Sequence, residues 1–287
     1  MARTAMPRAN INSFGGPMNR RVRLATFIMT LVLVLQLLPI RVNAATDEDF
    51  WKSMSTSFYY DQLGSAEKKL YDRIDSFCME MLLSDKTYSK SAGFIQFTEF
   101  GLTRDQAEKV FLIYLHSNPQ IYFIQQRYAY SSTKFGFLVA DEFLDGQTRA
   151  GYTSRFKEAI LDYNNTAAAR RSGNLPEQIE KSFHDVIVET TDYVGNDYDQ
   201  LPISLVLNHQ TVCTGYARSF QLFMNMNKVD CIMVTNKNHA WNAINLHGEW
   251  YIVDCTNDDQ SWGMTLRFYN TSTAFWCPAV TEVHTQT

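Results

Sequence analysis

The sequence predicts an α+β fold: a helix that opens on a cysteine, packed on an antiparallel sheet, with a mainly helical region ahead of it. Three observations predict it. The run TVCTGYARSFQLFM carries apolar residues at helical spacing over about Val212 to Met226. Three β-rich runs follow, at 230–235, 240–246 and 249–255. His247-Gly248 is a two-residue turn between the last two, so they pair antiparallel. Far upstream, Leu70, Ile74, Phe77, Cys78 and Met81 recur at a helical period, which gives the N-terminal region its character.

Residues 1–45 stand apart from this fold. Arg20, Arg21 and Arg23 precede an apolar stretch from Leu24 to Leu38, and Val42-Asn43-Ala44 supplies small residues for cleavage. That pattern predicts a signal peptide cut near Ala44 or Ala45 and a secreted or cell-surface protein with no stable membrane insertion afterwards. The whole chain has 26 basic and 30 acidic residues, a net charge of −4. Removing the six leader arginines leaves 20 basic residues against 30 acidic, a net −10 that argues against nucleic-acid or anionic-membrane binding. The remaining 240 or so residues suffice for a core with an accessory region.

Five cysteines is an odd number for a secreted chain. One is expected as a free thiol, and Cys78, Cys231, Cys255 and Cys277 pair in one of three ways if all four bond. No C-x-x-C pair is present, so no structural zinc site is expected.

In chain order, residues 46–60 read as a polar lead-in with exposed aromatics. Ser65 caps the first helix, and 84–101 is loop-like. Thr103 to Gln106 has capping-box spacing for a second helix with Ala107, Val110, Phe111 and Tyr114 on its apolar face, ended by Asn118-Pro119. Ile121–Tyr130 and Phe135–Phe143 predict a hairpin around Ser131 to Lys134. A helix over about 152–164 leads to a boundary placed near 175, dividing an accessory region (46–175) from a core (176–287). Pro176 opens the next helix, with Ile179, Phe183, Val186 and Ile187 buried, and 192–209 reads as a loop.

Three residues in the core point to chemistry. Cys213 falls in the first turn of its helix, where free N–H groups and the helix dipole favour a thiolate. His239 opens a strand, and Asp254 closes the strand paired with it. With the turn at 247–248, Leu246 faces Glu249, and the same register brings Asp254 within a residue or two of His239. A lone cysteine is ordinarily a small buried hydrophobe and a lone histidine ordinarily structural. A nucleophile, a base and a group that orients the base, each at the end of a regular element, are what thiol catalysis requires.

VCTGYARSF, HAWN and GEWYIVDCT together resemble the motifs of the transglutaminase-like superfamily of papain-fold cysteine enzymes, and FHDVIVETTDY resembles the helix before the nucleophile in secreted bacterial members. The match covers about residues 180–260. The resemblance implies a papain-like core with Cys213 as nucleophile, His239 as base and Asp254 as orienter. After the threonine, where members of the family commonly carry an aromatic, this chain has Asn257-Asp258-Asp259. No acidic loop matches a calcium site, and no cofactor is expected.

Other residues read as structural: His184-Asp185 as a packing or capping pair, His209 as a loop residue, Asp258 and Asp259 as a solvated turn, and Tyr216, Trp250 and Tyr251 as core aromatics. Trp241 is read as core with a possible second role at the substrate. The oxyanion hole needs the Cys213 N–H and one side-chain donor, for which Gln210 is the candidate. Gly215 is read as keeping the helix surface clear near the sulfur. Asn164 and Asn270 begin N-x-[ST] sequons. The function expected is thiol attack on a carboxamide or peptide bond of a protein or peptide, including cell-surface proteins, followed by release to an amine or water. The alternative is a non-catalytic peptide- or cell-wall-binding module on the same fold. An arylamine acyltransferase would have a Gly-rich lead into the cysteine, which is absent here.

Overall fold

A computed structural model of the chain describes residues 46–260, 263, 264 and 270; the leader segment and Cys277 lie outside the described residues. Helix α1 (Asp47–Lys52) opens with a capping box in which Thr46 and Asp49 satisfy each other's backbone N–H groups. The lead-in is therefore ordered, and its aromatics are not exposed: Trp51 and Tyr59 are buried. Their partners are remote in sequence, Trp51 stacking on Phe156 at 5.9 Å and the Tyr59 hydroxyl donating to the Met233 carbonyl at 3.3 Å.

Helices α2 (Ser65–Leu83) and α3 (Arg104–Ser117) pack against each other. Gly64 rather than Ser65 is the cap of α2, and the expected Thr103–Gln106 capping box starts α3. Between them, β1 (Phe94–Gln96) occupies part of the expected loop. It joins the expected hairpin, β2 (Ile124–Tyr130) and β3 (Lys134–Val139), in a three-stranded antiparallel sheet of order β1-β3-β2.

A short helix α4 (Asp141–Leu144) leads into α5 (Gly146–Arg170), which is longer than the apolar spacing predicts because its last turns are polar and partly exposed. Arg149 of α5 is fully buried and donates to the carbonyls of Met81, Phe143, Ser84 and Lys86 at 2.6–3.0 Å. It thereby ties α5 to the end of α2.

Helix α6 (Pro176–Thr190) begins at Pro176 as expected. The segment read as a loop contains the two-residue strand β4 (Asp192–Tyr193) and a helix, α7 (Pro202–Asn208), before β5 (Gln210–Thr211), which pairs parallel with β4. Helix α8 (Cys213–Met226) packs on a three-stranded antiparallel sheet, whose strands are β6 (Cys231–Thr235), β7 (Ala240–Leu246) and β8 (Glu249–Val253).

The chain is thus α+β, with its cysteine helix on an antiparallel sheet. Leu246 pairs with Glu249 and Asn242 with Val253, the register read from the turn. His247 and Gly248 both take positive φ, 57° and 94°, which a two-residue turn of the primed type demands. Buried Asn242 fastens the two layers, donating to the Ala217 carbonyl of α8 at 2.9 Å.

One cluster of buried apolar side chains runs from Trp51 to Cys255 and crosses residue 175 without interruption. All the described residues belong to one compact unit.

Candidate active site

Cys213 is the first residue of α8, and its position is set by the chain just before it. The Thr211 hydroxyl donates to the Asp199 carbonyl at 2.7 Å, and the Val212 N–H reaches the same carbonyl at 3.3 Å. This closure needs Gly215. A Cβ there would lie 1.8 Å from Thr211 Oγ1 and 2.8 Å from the Asp199 carbonyl oxygen. The glycine therefore lets the 199–211 segment close on the helix, rather than clearing space at the sulfur. Cys213 itself is half-buried, packed against Ala217, Met233 and Ala240.

His239 sits at the end of the turn between β6 and β7. Asn236 builds that turn: its side-chain oxygen accepts the N–H groups of Asn238 and His239, both at 2.9 Å. The imidazole Nε2 lies 2.7 Å from Asp254 Oδ2. Asp254 directly follows β8 and is buried. Its other oxygen accepts the Asn257 N–H at 3.1 Å, capping the short helix α9 (Cys255–Asp258). Asn257 adds a third contact, its side-chain nitrogen lying 2.5 Å from Asp254 Oδ2 and 3.2 Å from His239 Nε2. With Nε2 engaged by Asp254 and Asn257, Nδ1 is the ring nitrogen left for proton transfer.

Cys213 and His239 line one cleft of about 540 Å³. No direct hydrogen bond joins the sulfur to the imidazole; hydrogen bonds of this kind often form only in the complex with substrate. The opposite wall comes from the N-terminal region: Phe111, Leu112, Leu115 and His116 of α3 and Tyr128 of β2. Buried Arg218, one and a half turns along α8 from Cys213, and Lys237 complete its charged surface.

Gln200 lines the same cleft as Cys213, its amide donating to Asp199 Oδ1 at 3.1 Å, whereas Gln210 does not line it. The backbone carbonyl of Gln210 is engaged by Asn196 and Ser204, and its chain pairs with Asp192. Trp241 does not line the cleft; its ring stacks on His239 at 5.7 Å, and its indole N–H is buried with no partner. The hydroxyl of Tyr193 lies against Cys213: burial, then the cysteine's charge, push the phenol above its ordinary value.

The remaining candidates are structural, with one correction. His209 caps α7 at φ 56° and meets the Tyr163 hydroxyl at 2.7 Å. Tyr216 is buried and donates to the Thr191 carbonyl at 3.0 Å and to Asp259. His184 is fully buried, 3.1 Å from Asp185 and 3.3 Å from Asp258. Asp258 is therefore no solvated turn residue: α9 turns it inward against α6, a contact between residues 74 apart that has no local signature. Cys78, Cys231 and Cys255 are buried free thiols.

Gln200, Asn257 and Arg218 were missed in the sequence. For Gln200 the only available cue was a polar side chain upstream of the cysteine, and for Asn257 its place three residues after the aspartate. Nothing local marks Arg218, which reads as one polar residue of a helix.

No family model and no curated protein matches this chain. A crystal structure of a TGase aligns with it at 13% identity and a TM-score of 0.33, covering 51% of this chain and 47% of that one. The aligned part thus spans about half of that protein's length.

Proposed function

We propose that the chain is a secreted, transglutaminase-like cysteine enzyme that attacks a carboxamide or peptide carbonyl of a protein or peptide substrate. The observation that carries this reading is the convergence of the Cys213 helix end and the Asp254-held His239 on one cleft.

His239 Nδ1 takes the thiol proton, and the sulfur adds to the carbonyl carbon. Asp254 holds the imidazole in the required tautomer and stabilises its charged form. The oxyanion is met by the Cys213 N–H and by the Gln200 amide, in the role expected of Gln210. Collapse breaks the carbon–nitrogen bond, and His239 returns its proton to the departing ammonia or amine. The resulting thioester then passes its acyl group to an amine or to water.

Incubating the protein with a glutamine-containing peptide library, with and without a primary amine, tests this. Ammonia release or amine incorporation in the wild type, absent in Cys213→Ala, is the expected result. Peptide or glycan binding with no turnover of any pair would instead favour a binding module on the same fold.

A further inference from the structure

Among the described residues two arginines, Arg149 and Arg218, are fully buried, and the fold treats them differently. Arg149 spends its guanidinium on four backbone carbonyls at 2.6–3.0 Å. Arg218 has one, a 3.4 Å contact from Nη2 to the Ile121 carbonyl, and its Nε has no partner. Among the described residues no carboxylate offsets its charge, and burial pushes its pKa down to about 10. A buried cation without an acceptor is costly, and such groups are ordinarily paired. Arg149 shows that this chain can supply carbonyls to a buried guanidinium, so the deficit at Arg218 calls for an acceptor from outside.

The place where that acceptor would arrive is the cleft. Arg218 lines it together with Cys213, and Lys237 adds a second positive charge. No aspartate or glutamate is among the described residues lining it. This is a cationic recess on a chain of net charge −4. Arg218 lies five residues beyond Cys213 on α8, a rise of about 7.5 Å along the axis. An extended peptide covers about 3.3–3.6 Å per residue, so that rise matches roughly two residues.

We propose that Arg218 anchors an anionic subsite, which takes a substrate carboxylate about two residues from the carbonyl that Cys213 attacks. The substrate class is therefore acidic peptides, with the anionic end running beneath α3. The assignment of that carboxylate to the acyl donor rests on the cysteine-enzyme reading; the anion subsite itself does not. The unpartnered Nε and the guanidinium edge beside it offer a carboxylate the two-point grip that arginine favours.

The test compares two alkylating probes, N-bromoacetyl-4-aminobutyrate and its terminal amide, which differ only in the anion. The Cys213 sulfur forms a bond to the bromoacetyl carbon, bromide leaves, and the spacer sets the carboxylate toward Arg218. The acid should label Cys213 at least about tenfold more efficiently than the amide, at a ratio that falls with added salt. Arg218→Gln should bring the ratio to about one, and Arg218→Lys should retain part of it. Equal labelling by the two probes in the wild type overturns the proposal, and so does an unchanged ratio in folded Arg218→Gln.

If Cys213 takes neither probe, the enzyme reading falls. The subsite is then judged by calorimetric titration of Cys213→Ala with N-acetyl-Gln-Glu and N-acetyl-Gln-Gln-amide. Preference for the acidic peptide, lost on adding Arg218→Gln, supports it; equal or no binding of both overturns it.

Discussion

His239 Nε2 and Asp254 Oδ2 are 2.7 Å apart, although 15 residues separate them in the chain. Two turns produce that contact. The Asn236 turn fixes where β7 begins, and the His247-Gly248 turn fixes which residue of β8 lies across from it. A slip of one residue in the hairpin would send the Asp254 carboxylate to the other face of the sheet. The pairing of base and orienter is thus a property of the sheet register.

That dependence predicts a graded set of mutant effects. His239→Ala should lower turnover by roughly four orders of magnitude or more, and Asp254→Ala by about one to two orders less. Asp254→Asn should fall near Asp254→Ala, because an amide would keep the contact but favour the wrong tautomer. Steady-state rates of the three variants on one glutamine peptide provide the check.

Thiol reactivity should single out one cysteine. Burial pushes the Cys78, Cys231 and Cys255 thiols well above their ordinary values. Cys213 is half-buried at a helix N-terminus beside a base. In the folded protein at neutral pH, iodoacetamide should modify Cys213 at least about tenfold faster than these three. Peptide mapping by mass spectrometry at timed quenches reads the order directly.

Gly215→Ala should destabilise the protein by about 1–3 kcal/mol, the usual cost of forcing a group into a packed site. The clash falls on Thr211 and on the Asp199 carbonyl, next to Gln200, so turnover should drop more than stability alone accounts for. Urea unfolding at constant m-value measures the first effect, and rates at a temperature where the variant is fully folded measure the second.

Acid sensitivity should have a contribution from His116. Burial, then the neighbouring Arg218 charge, lower its pKa from 6.5 to about 4. Above about pH 6.5 the residue is neutral in both folded and unfolded chains and contributes nothing. As pH falls from there toward 4, only the unfolded chain takes up the proton, so stability declines. The loss is about 3 kcal/mol across that window. In His116→Gln the difference in unfolding free energy between pH 7 and pH 4.5 should shrink by a comparable amount.

The contrast between what the sequence revealed and what it concealed follows from the range of the interactions involved. Helix α8, the three strands behind it and the 246–249 register were legible because period and turn chemistry are local signals. Cys213, His239 and Asp254 stood at the ends of those elements and could be placed from them. Helix α7 has no signature in the sequence, because Pro202-Ile203-Ser204-Leu205-Val206 is buried on every side and so shows no periodicity. Trp51 and Asp258 look exposed in the sequence because their partners, Phe156 and His184, are 105 and 74 residues away. Gln200 enters the cleft only because the 199–211 segment folds onto Gly215, a contact visible only in three dimensions. The wall built by Phe111, Leu115 and His116 likewise joins a region read as accessory to the site itself.

The measurement that bears most directly on the central claim is acyl transfer by four proteins: wild type, Cys213→Ala, His239→Ala and the double variant. Each is assayed on the same glutamine peptide for ammonia release and amine incorporation. Residues that act as one unit are strongly non-additive, so the double variant should be no slower than Cys213→Ala alone, and both should lack the acyl-enzyme mass found on wild-type Cys213. Wild-type rates from Cys213→Ala would contradict the account.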